Sequence, residues 1–226
     1  ISDFSADQFV FMASLEGTVK KVALSEFSRP RPSGKVALGL SEGDRLMGVT
    51  LTDGEKEVLL LSDAGKAIRF HERAVRPMGR SARGVRGMRL QDGQALISLM
   101  TIRPGSTMLT ATASGYGQRT LLTDYRAIGR GGQGVRAIQV NARNGKVVAA
   151  AQVSPEDDVL LISDRGTMVR MPVNEISVIG RNTQGVRLVK LSSGESLVGL
   201  EAIAVDIQSL VSDEAVISVE PVNEEA

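Results

Sequence analysis

Three interlocked series of glycines recur along the chain: Gly17, Gly65, Gly115 and Gly166; Gly34, Gly84, Gly134 and Gly185; Gly43, Gly93, Gly145 and Gly194. Successive spacings are 48, 50 and 51, then 50, 50 and 51, then 50, 52 and 49, so a unit of about 50 residues occurs four times. Self-similarity at that period marks an array of stacked supersecondary units, none of which can bury its apolar faces alone. Each unit opens with a run that favours strand: residues 9–12, 58–61, 108–110 and 159–162. A polar turn then ends in a glycine of the first series, where a positive φ is cheap for glycine and costly for other residues. A hairpin, a loop to the second glycine and a last strand after the third complete the unit. Amphipathic helices of ten residues or more are missing from all four units. The fold class expected is all-β, a propeller-like array of about 50-residue four-stranded blades at roughly 8–51, 57–102, 106–153 and 158–204. Four blades are compatible with a small closed ring or with an open arc of a larger one.

Charge is distributed unevenly along this array. All 27 lysines and arginines lie at or before Lys190, against 18 acidic residues in the same stretch, a net charge of +9. The remaining residues, 191–226, hold eight acids and no base, a net charge of −8. A basic body seeks a polyanion or an acidic surface, and an acidic tail can compete for the same patch. Residues 205–226 are therefore expected to form a largely mobile acidic tail that visits the basic body, unless Val216–Val219 adds a strand to the last blade.

The basic residues fall in two recurrent positions. Four residues past each turn glycine sits Lys21 (beside Lys20), Arg69, Arg119 or Arg170, and six residues further an apolar residue, Phe27, Val75, Tyr125 or Ile176. Between that apolar slot and the second glycine lies a basic loop. The first loop carries Arg29, Arg31 and Lys35; the second carries Arg80, Arg83 and Arg86, with Arg76 just before it; the third carries Arg130 and Arg136; the fourth carries Arg181 and Arg187. Loops two to four share Gly-Arg-x-x-x-Gly-Val-Arg. Duplex DNA presents a phosphate charge every ~1.7 Å of axis, so a protein that follows it needs cations repeated along a path rather than gathered in one pocket. Glycine lets the loop backbone approach phosphate oxygens, and the arginine fork fits them. All sixteen cations named here are expected to contact DNA, and the Gly-Arg arginines to be exposed and dispensable for folding. No base-reading helix or ribbon is evident, so recognition of shape and charge rather than sequence is expected.

The four loops, the segment Gly-Arg-Asn-Thr-Gln-Gly-Val at 180–186, Gly17-Thr18-Val19-Lys20-Lys21 and the closing acidic tail together resemble the C-terminal domain of the bacterial DNA gyrase A protein. That resemblance implies a β-pinwheel, a propeller variant whose blades exchange strands, with duplex DNA wrapped on a basic outer rim in support of negative supercoiling. The implied partners are duplex DNA, the rest of gyrase A and the gyrase B protein. The family's seven-residue box, Gln-Arg-Arg-Gly-Gly-Lys-Gly, is absent; Arg130-Gly131-Gly132-Gln133-Gly134 is similar in form but sits in a later blade. The family typically has six blades. The absent box and a strand-like start without methionine lead us to expect a piece of a longer chain, with about two blades preceding it.

Other chemistries find little support. The chain lacks cysteine and has one histidine, His71, which excludes disulfides and thiolate or multi-histidine metal sites and suits a reducing cytoplasm. No run is long and apolar enough for a membrane span. Tyr125 occupies the apolar slot and Tyr116 follows a turn glycine, so neither is a nucleophile candidate. Glu156-Asp157-Asp158 precedes a strand and lacks a spaced partner, and no phosphate-binding Gly-x-x-x-x-Gly-Lys-Ser/Thr loop occurs. No catalytic residue, metal or cofactor is expected in this stretch. The alternatives are the related domain of topoisomerase IV and a protein-binding scaffold. The scaffold is weakened by the scarcity of aromatic anchors, since the chain has two tyrosines, five phenylalanines and no tryptophan.

Overall fold

The computed structural model describes Phe4, residues 7–29 and residues 31–204. The acidic segment 205–226, including the possible strand at Val216–Val219, lies outside the described residues. Each repeat is built alike. A first strand (β1 Phe9–Ser14, β4 Glu57–Ser62, β8 Thr107–Thr112, β12 Asp158–Ser163) turns into a second (β2 Thr18–Ala23, β5 Lys66–His71, β9 Tyr116–Leu121, β13 Met168–Pro172). The second runs into a short 3-10 turn at Leu24–Phe27, Glu72–Ala74, Leu122–Asp124 or Val173–Glu175. In repeats two to four the basic loop ends in a two-residue strand (β6 Val85–Arg86, β10 Val135–Arg136, β14 Val186–Arg187). The last strand of each repeat is β3 Leu46–Thr52, β7 Leu96–Thr101, β11 Val147–Val153 or β15 Leu197–Ile203. Among the described residues no helix is long and apolar enough to cross a membrane.

The sheets do not coincide with the repeats. In the first, β3, β1, β2 and β6 are neighbours in that order, and β6 comes from the second repeat. In the same way β10 of the third repeat completes the second sheet beside β5, and β14 of the fourth completes the third beside β9. All these pairings are antiparallel. The fourth sheet, β13-β12-β15, has three strands among the described residues. Strand exchange therefore joins each repeat to the next through backbone hydrogen bonds as well as packing. It also places the Val-Arg end of every exchanged loop on its neighbour's sheet edge, so that Arg86 faces Thr18, Arg136 faces Lys66 and Arg187 faces Tyr116.

Three apolar cores lie at the three junctions. Val58 and Leu60 pack with Phe11, Val19 and Phe70 at the first; Leu59 and Leu61 pack with Met108, Tyr125 and Ile138 at the second; Leu109 packs with Val159, Leu161 and Ile176 at the third. This explains why β4 is a continuous apolar run rather than an alternating one, since a strand between two packed sheets buries both faces. At the array's end the alternation returns: β12 alternates buried with partly buried positions, and β13 is exposed at Met168, Arg170 and Pro172.

All twelve glycines of the three series adopt positive φ, between +70° and +97°. The second series shows what the conformation serves. At Gly84 a Cβ would lie 2.6 Å from the Val19 carbonyl oxygen and 3.0 Å from Thr18 Cγ2, because the exchanged strand begins there against β2. Gly34 has the same backbone conformation but nothing within 4 Å of a Cβ. Substituting Gly34→Ala is expected to cost only the left-handed penalty of about 1–2 kcal/mol. Gly84→Ala carries the same penalty plus the clash with β2, and its melting temperature is expected to fall clearly further, as read by differential scanning calorimetry.

Candidate nucleic-acid interface

The basic residues of the hairpin position point into the junctions. Lys21 is 4% exposed and its ammonium donates to the Glu72 carbonyl at 3.2 Å. Arg69 donates from Nη1 to the carbonyls of Leu122 and Tyr125 at 2.8 and 3.1 Å. Arg119, 6% exposed, does the same to Val173 and Ile176 at 3.0 and 3.3 Å. Each cation thus adds a charged donor at the 3-10 turn of the following repeat, whose first carbonyl (Glu72, Leu122 or Val173) also accepts from the backbone amide three residues on. On its own sheet each is steadied by the residue twelve positions earlier: Phe9, whose ring centroid is 4.9 Å from the Lys21 ammonium, then Glu57, then Thr107. Lys20 is fully buried; its ammonium donates to Ala37 O at 2.8 Å and to Arg80 O. Burial, and secondarily the Arg80 charge, lower the Lys20 pKa. The expectation that Lys20, Lys21, Arg69 and Arg119 contact DNA is therefore corrected: Lys20, Lys21 and Arg119 are buried, and Arg69, with 16% side-chain exposure, is committed to the junction. Only Arg170 of that position is exposed, because no following turn is present to receive it among the described residues; it pairs with Asp158.

The loops form a continuous belt. Backbone amides of Gly39, Arg89 and Gln139 donate to the carbonyls of Ala82, Gly132 and Thr183, so each loop is sewn onto the segment following the loop before it. The Gly-Arg arginines strengthen the same seam. Arg80, Arg130 and Arg181 donate from Nη1 to the carbonyls of Val36, Arg86 and Arg136 at 3.3, 3.0 and 3.0 Å. Arg130 also donates from Nε to Ala74 O, and Arg181 lies 5.6 Å from the Tyr125 ring centroid. The expectation that all three are exposed holds for Arg130 but not for Arg80 and Arg181, and each of the three bridges two loops. Arg80 and Arg181 are half-buried; Arg130 is exposed.

What the belt presents outward is a row of cations. Arg29, Arg31, Arg76, Arg83, Arg86, Arg130, Arg136 and Arg187 are exposed, and Lys35 is half-buried. Arg31, Lys35 and Arg80 line a cleft of about 470 Å³ between the first two loops. Among the described residues the ion pairs lie mostly elsewhere, as in Lys21–Glu72, Arg69–Glu57, Arg73–Glu55 and Arg170–Asp158, and the one ion pair to a loop arginine is Arg80–Glu26 at 3.8 Å.

Three residues belong beside the expected set. Arg126 stands one residue past the apolar slot, as Arg76 does, and is exposed; the repeat alignment alone could have found it. Exposed Arg143 lies in the third-series turn, outside the basic loops. Glu72 is fully buried where the other repeats have Leu24, Leu122 and Val173; it accepts from Thr52 Oγ1 at 2.7 Å and Lys56 N at 2.8 Å and faces Lys21 Nζ at 3.5 Å. Tyr125 and Ile176 are buried in the apolar slot as expected, and burial raises the Tyr125 pKa.

Arg119→Met and Arg170→Met provide a matched comparison of one repeat position. Losing Arg119 leaves two buried carbonyls without their charged donor, an expected cost of about 2–4 kcal/mol. Losing exposed Arg170 is expected to cost about 0.5 kcal/mol or less. Urea denaturation of both variants checks the ranking.

A belt of outward arginines on strand-exchanging propeller sheets defines the class as a basic β-pinwheel repeat array. The family model described as "DNA gyrase C-terminal domain, beta-propeller" matches residues 8–53, 56–103, 106–154 and 157–204, and the chain belongs to that family. It is 56% identical over 195 residues to the DNA gyrase A protein of Pseudomonas aeruginosa, covering 86% of this chain and 21% of that protein. It is 48% identical over 204 residues to the DNA gyrase A protein of Escherichia coli K12, covering 90% of this chain and 23% of that protein. The chain thus spans about a fifth of the length of these relatives. Among solved structures, a DNA gyrase A C-terminal domain superposes with a TM-score of 0.80 at 24% identity, covering 90% of this chain and 68% of that one. The C-terminal domain of a DNA topoisomerase IV superposes at 0.87 and 22%, covering 95% and 69%. Both show the fold alone.

Proposed function

We propose that this array binds duplex DNA along its loop belt, without sequence preference, and bends it around the rim as the wrapping module of a gyrase A protein. The observation that carries this reading is the segregation of charge. The acids that form ion pairs at the junctions and hairpins include Glu72, Glu57 and Asp158, while Arg83, Arg86, Arg136 and Arg187 have no carboxylate within 4 Å among the described residues. Repeating cations at the period of the array suit a polyanion whose charge is itself periodic. No catalytic step is assigned to this stretch. The strand passage that negative supercoiling requires is attributed to the remainder of gyrase A acting with the gyrase B protein. Identities of 41–56% to gyrase A proteins over most of this chain favour gyrase over topoisomerase IV.

With about eight phosphates engaged, the logarithm of the affinity for random-sequence duplex is expected to fall against the logarithm of salt with a slope of roughly −7. Replacing Arg83, Arg86 and Arg136 together by alanine should make that slope shallower by about 2–3, with little change in melting temperature. Fluorescence anisotropy across a salt series measures both; a slope unchanged in the triple variant refutes the belt as the binding surface.

The acidic segment 206–226 is proposed to act as a tethered competitor for the same cations, at an effective concentration set by its linkage. Deleting it should tighten DNA binding at low salt, by a factor that shrinks as salt is raised. Weaker binding after the deletion refutes the competition.

A further inference from the structure

One point on the belt departs from the repeat. The third-series turn of repeat three is longer than the others, with 52 residues separating Gly93 from Gly145 against 50 between Gly43 and Gly93. Where the shorter turns place Glu42, Asp92 or Ser193 before the glycine, this one places Arg143 and Asn144. Asn144 is fully buried and its amide donates to Gln139 O at 2.6 Å and Gln184 O at 3.1 Å, fixing the turn against the fourth loop. Arg143 is thereby brought to Tyr116, donating from Nε to the phenol oxygen at 3.3 Å and from Nη1 to Gln184 Oε1 at 3.4 Å. Arg187, delivered across the exchanged ladder, donates from Nη2 to the same oxygen at 2.9 Å.

The two guanidinium carbons lie 4.9 and 5.4 Å from the centroid of the Tyr116 ring. Tyr116 itself is 6% exposed, while both arginines are exposed. Thr18, Lys66 and Thr167 occupy its position in the other repeats, so the arrangement is unique to this one. Two like charges are gathered on a neutral phenol, with no carboxylate within 4 Å of either among the described residues. Each keeps N–H donors beyond those used on the protein. Cation–π attraction to one ring offsets part of their repulsion, and an oxyanion between them would remove the rest. The two guanidiniums also lower the Tyr116 pKa, Arg143 chiefly, as a local positive field should.

We propose that Arg143 and Arg187, held by Tyr116, form a clamp for a single backbone phosphate of duplex DNA, a discrete anchor on a belt that otherwise binds through distributed charge. The proposal rests on the DNA-binding reading above, and Tyr116 is a positioning residue within it.

The test compares Arg143→Ala, Arg187→Ala, the double variant and Tyr116→Phe with the parent chain, measuring affinity for random duplex across a salt series. Arg83→Ala serves as a control elsewhere on the belt. Each single arginine variant is expected to bind about tenfold more weakly, and the double variant no more than about twofold worse than the weaker single, because either loss opens the clamp. The double variant's salt slope should be shallower by about 1, one phosphate's worth. Tyr116→Phe keeps the ring but not the acceptor and is expected to bind three- to tenfold more weakly with the parental slope and melting temperature. Single effects that multiply in the double variant, or parental affinity in Tyr116→Phe, overturn the clamp. If Arg83→Ala weakens binding while Arg143→Ala and Arg187→Ala do not, the clamp alone fails. If all three bind as the parent does, the DNA-binding reading fails with it.

Discussion

The structure depends on the carbonyl groups of the 3-10 turns. At each junction the first carbonyl of the turn, Glu72, Leu122 or Val173, accepts from the amide three residues on, and its second lone pair faces the junction, buried between two sheets. The chain resolves this by placing one long cation per repeat within reach of the next repeat's turn: Lys21, Arg69 and Arg119. A charged donor makes these bonds stronger than neutral ones would be, and the following repeat can dock only where the carbonyls meet it. Strand exchange fixes the same junction from the other side, because a two-residue strand such as β10 gains its backbone bonds only when the preceding sheet is in place. Apolar packing gives the array its cohesion; these polar contacts set the angle and register at which it packs.

This division explains which features could be read from sequence. The glycine series translated directly into structure, because positive φ is a property of single residues and one that glycine tolerates far better than others; all twelve adopt it. The strands were legible for a similar reason. A continuous apolar run such as Val58–Leu61 needs two apolar neighbours, and a stacked array supplies them. Direction was not legible. A lysine or arginine on a hairpin looks the same whether it points to solvent or to a neighbour's carbonyl, and the target turn lies about 50 residues away. The residue twelve positions earlier does not reveal it either: Glu57 and Asp158 are acids that meet Arg69 and Arg170, yet Arg69 turns into a junction and Arg170 is exposed, while inward Lys21 and Arg119 have Phe9 and Thr107 there. Cations that already have a partner on their own strand pair are poor candidates for an external polyanion.

The Gly-Arg arginines were half legible for a different reason. Their recurrence signalled a shared role, and the belt gives them one: Arg80, Arg130 and Arg181 each cap a carbonyl of the preceding loop at 3.0–3.3 Å. Recurrence in a repeat protein is as readily a sign of the junction, which must recur, as of the ligand surface. Arg86, Arg136 and Arg187 recur at the same period but sit on the exchanged strand, exposed and without carboxylate partners among the described residues. Period alone does not separate the two groups, whereas the competition between protein carbonyls and solvent for each guanidinium does.

Exchange also ties the interface to the fold in a way that pairwise packing would not. The outward arginines stand on strands that belong to one repeat by sequence and to its neighbour by hydrogen bonding, so the spacing between successive cations is set by the junction angle rather than by either repeat alone. A substitution that relaxes a junction, at Arg119 or Glu72 for example, would therefore shift the arginines on its two sides relative to one another. DNA resists bending on the scale of its persistence length, about 150 base pairs, so a rim that curves it must hold its cations against that stiffness. Buried hydrogen-bonded cations at the junctions supply such resistance, because yielding would leave a buried charge without its acceptors. In the DNA-binding role proposed above, the inward cations would hold fixed the spacing at which the outward arginines meet the duplex.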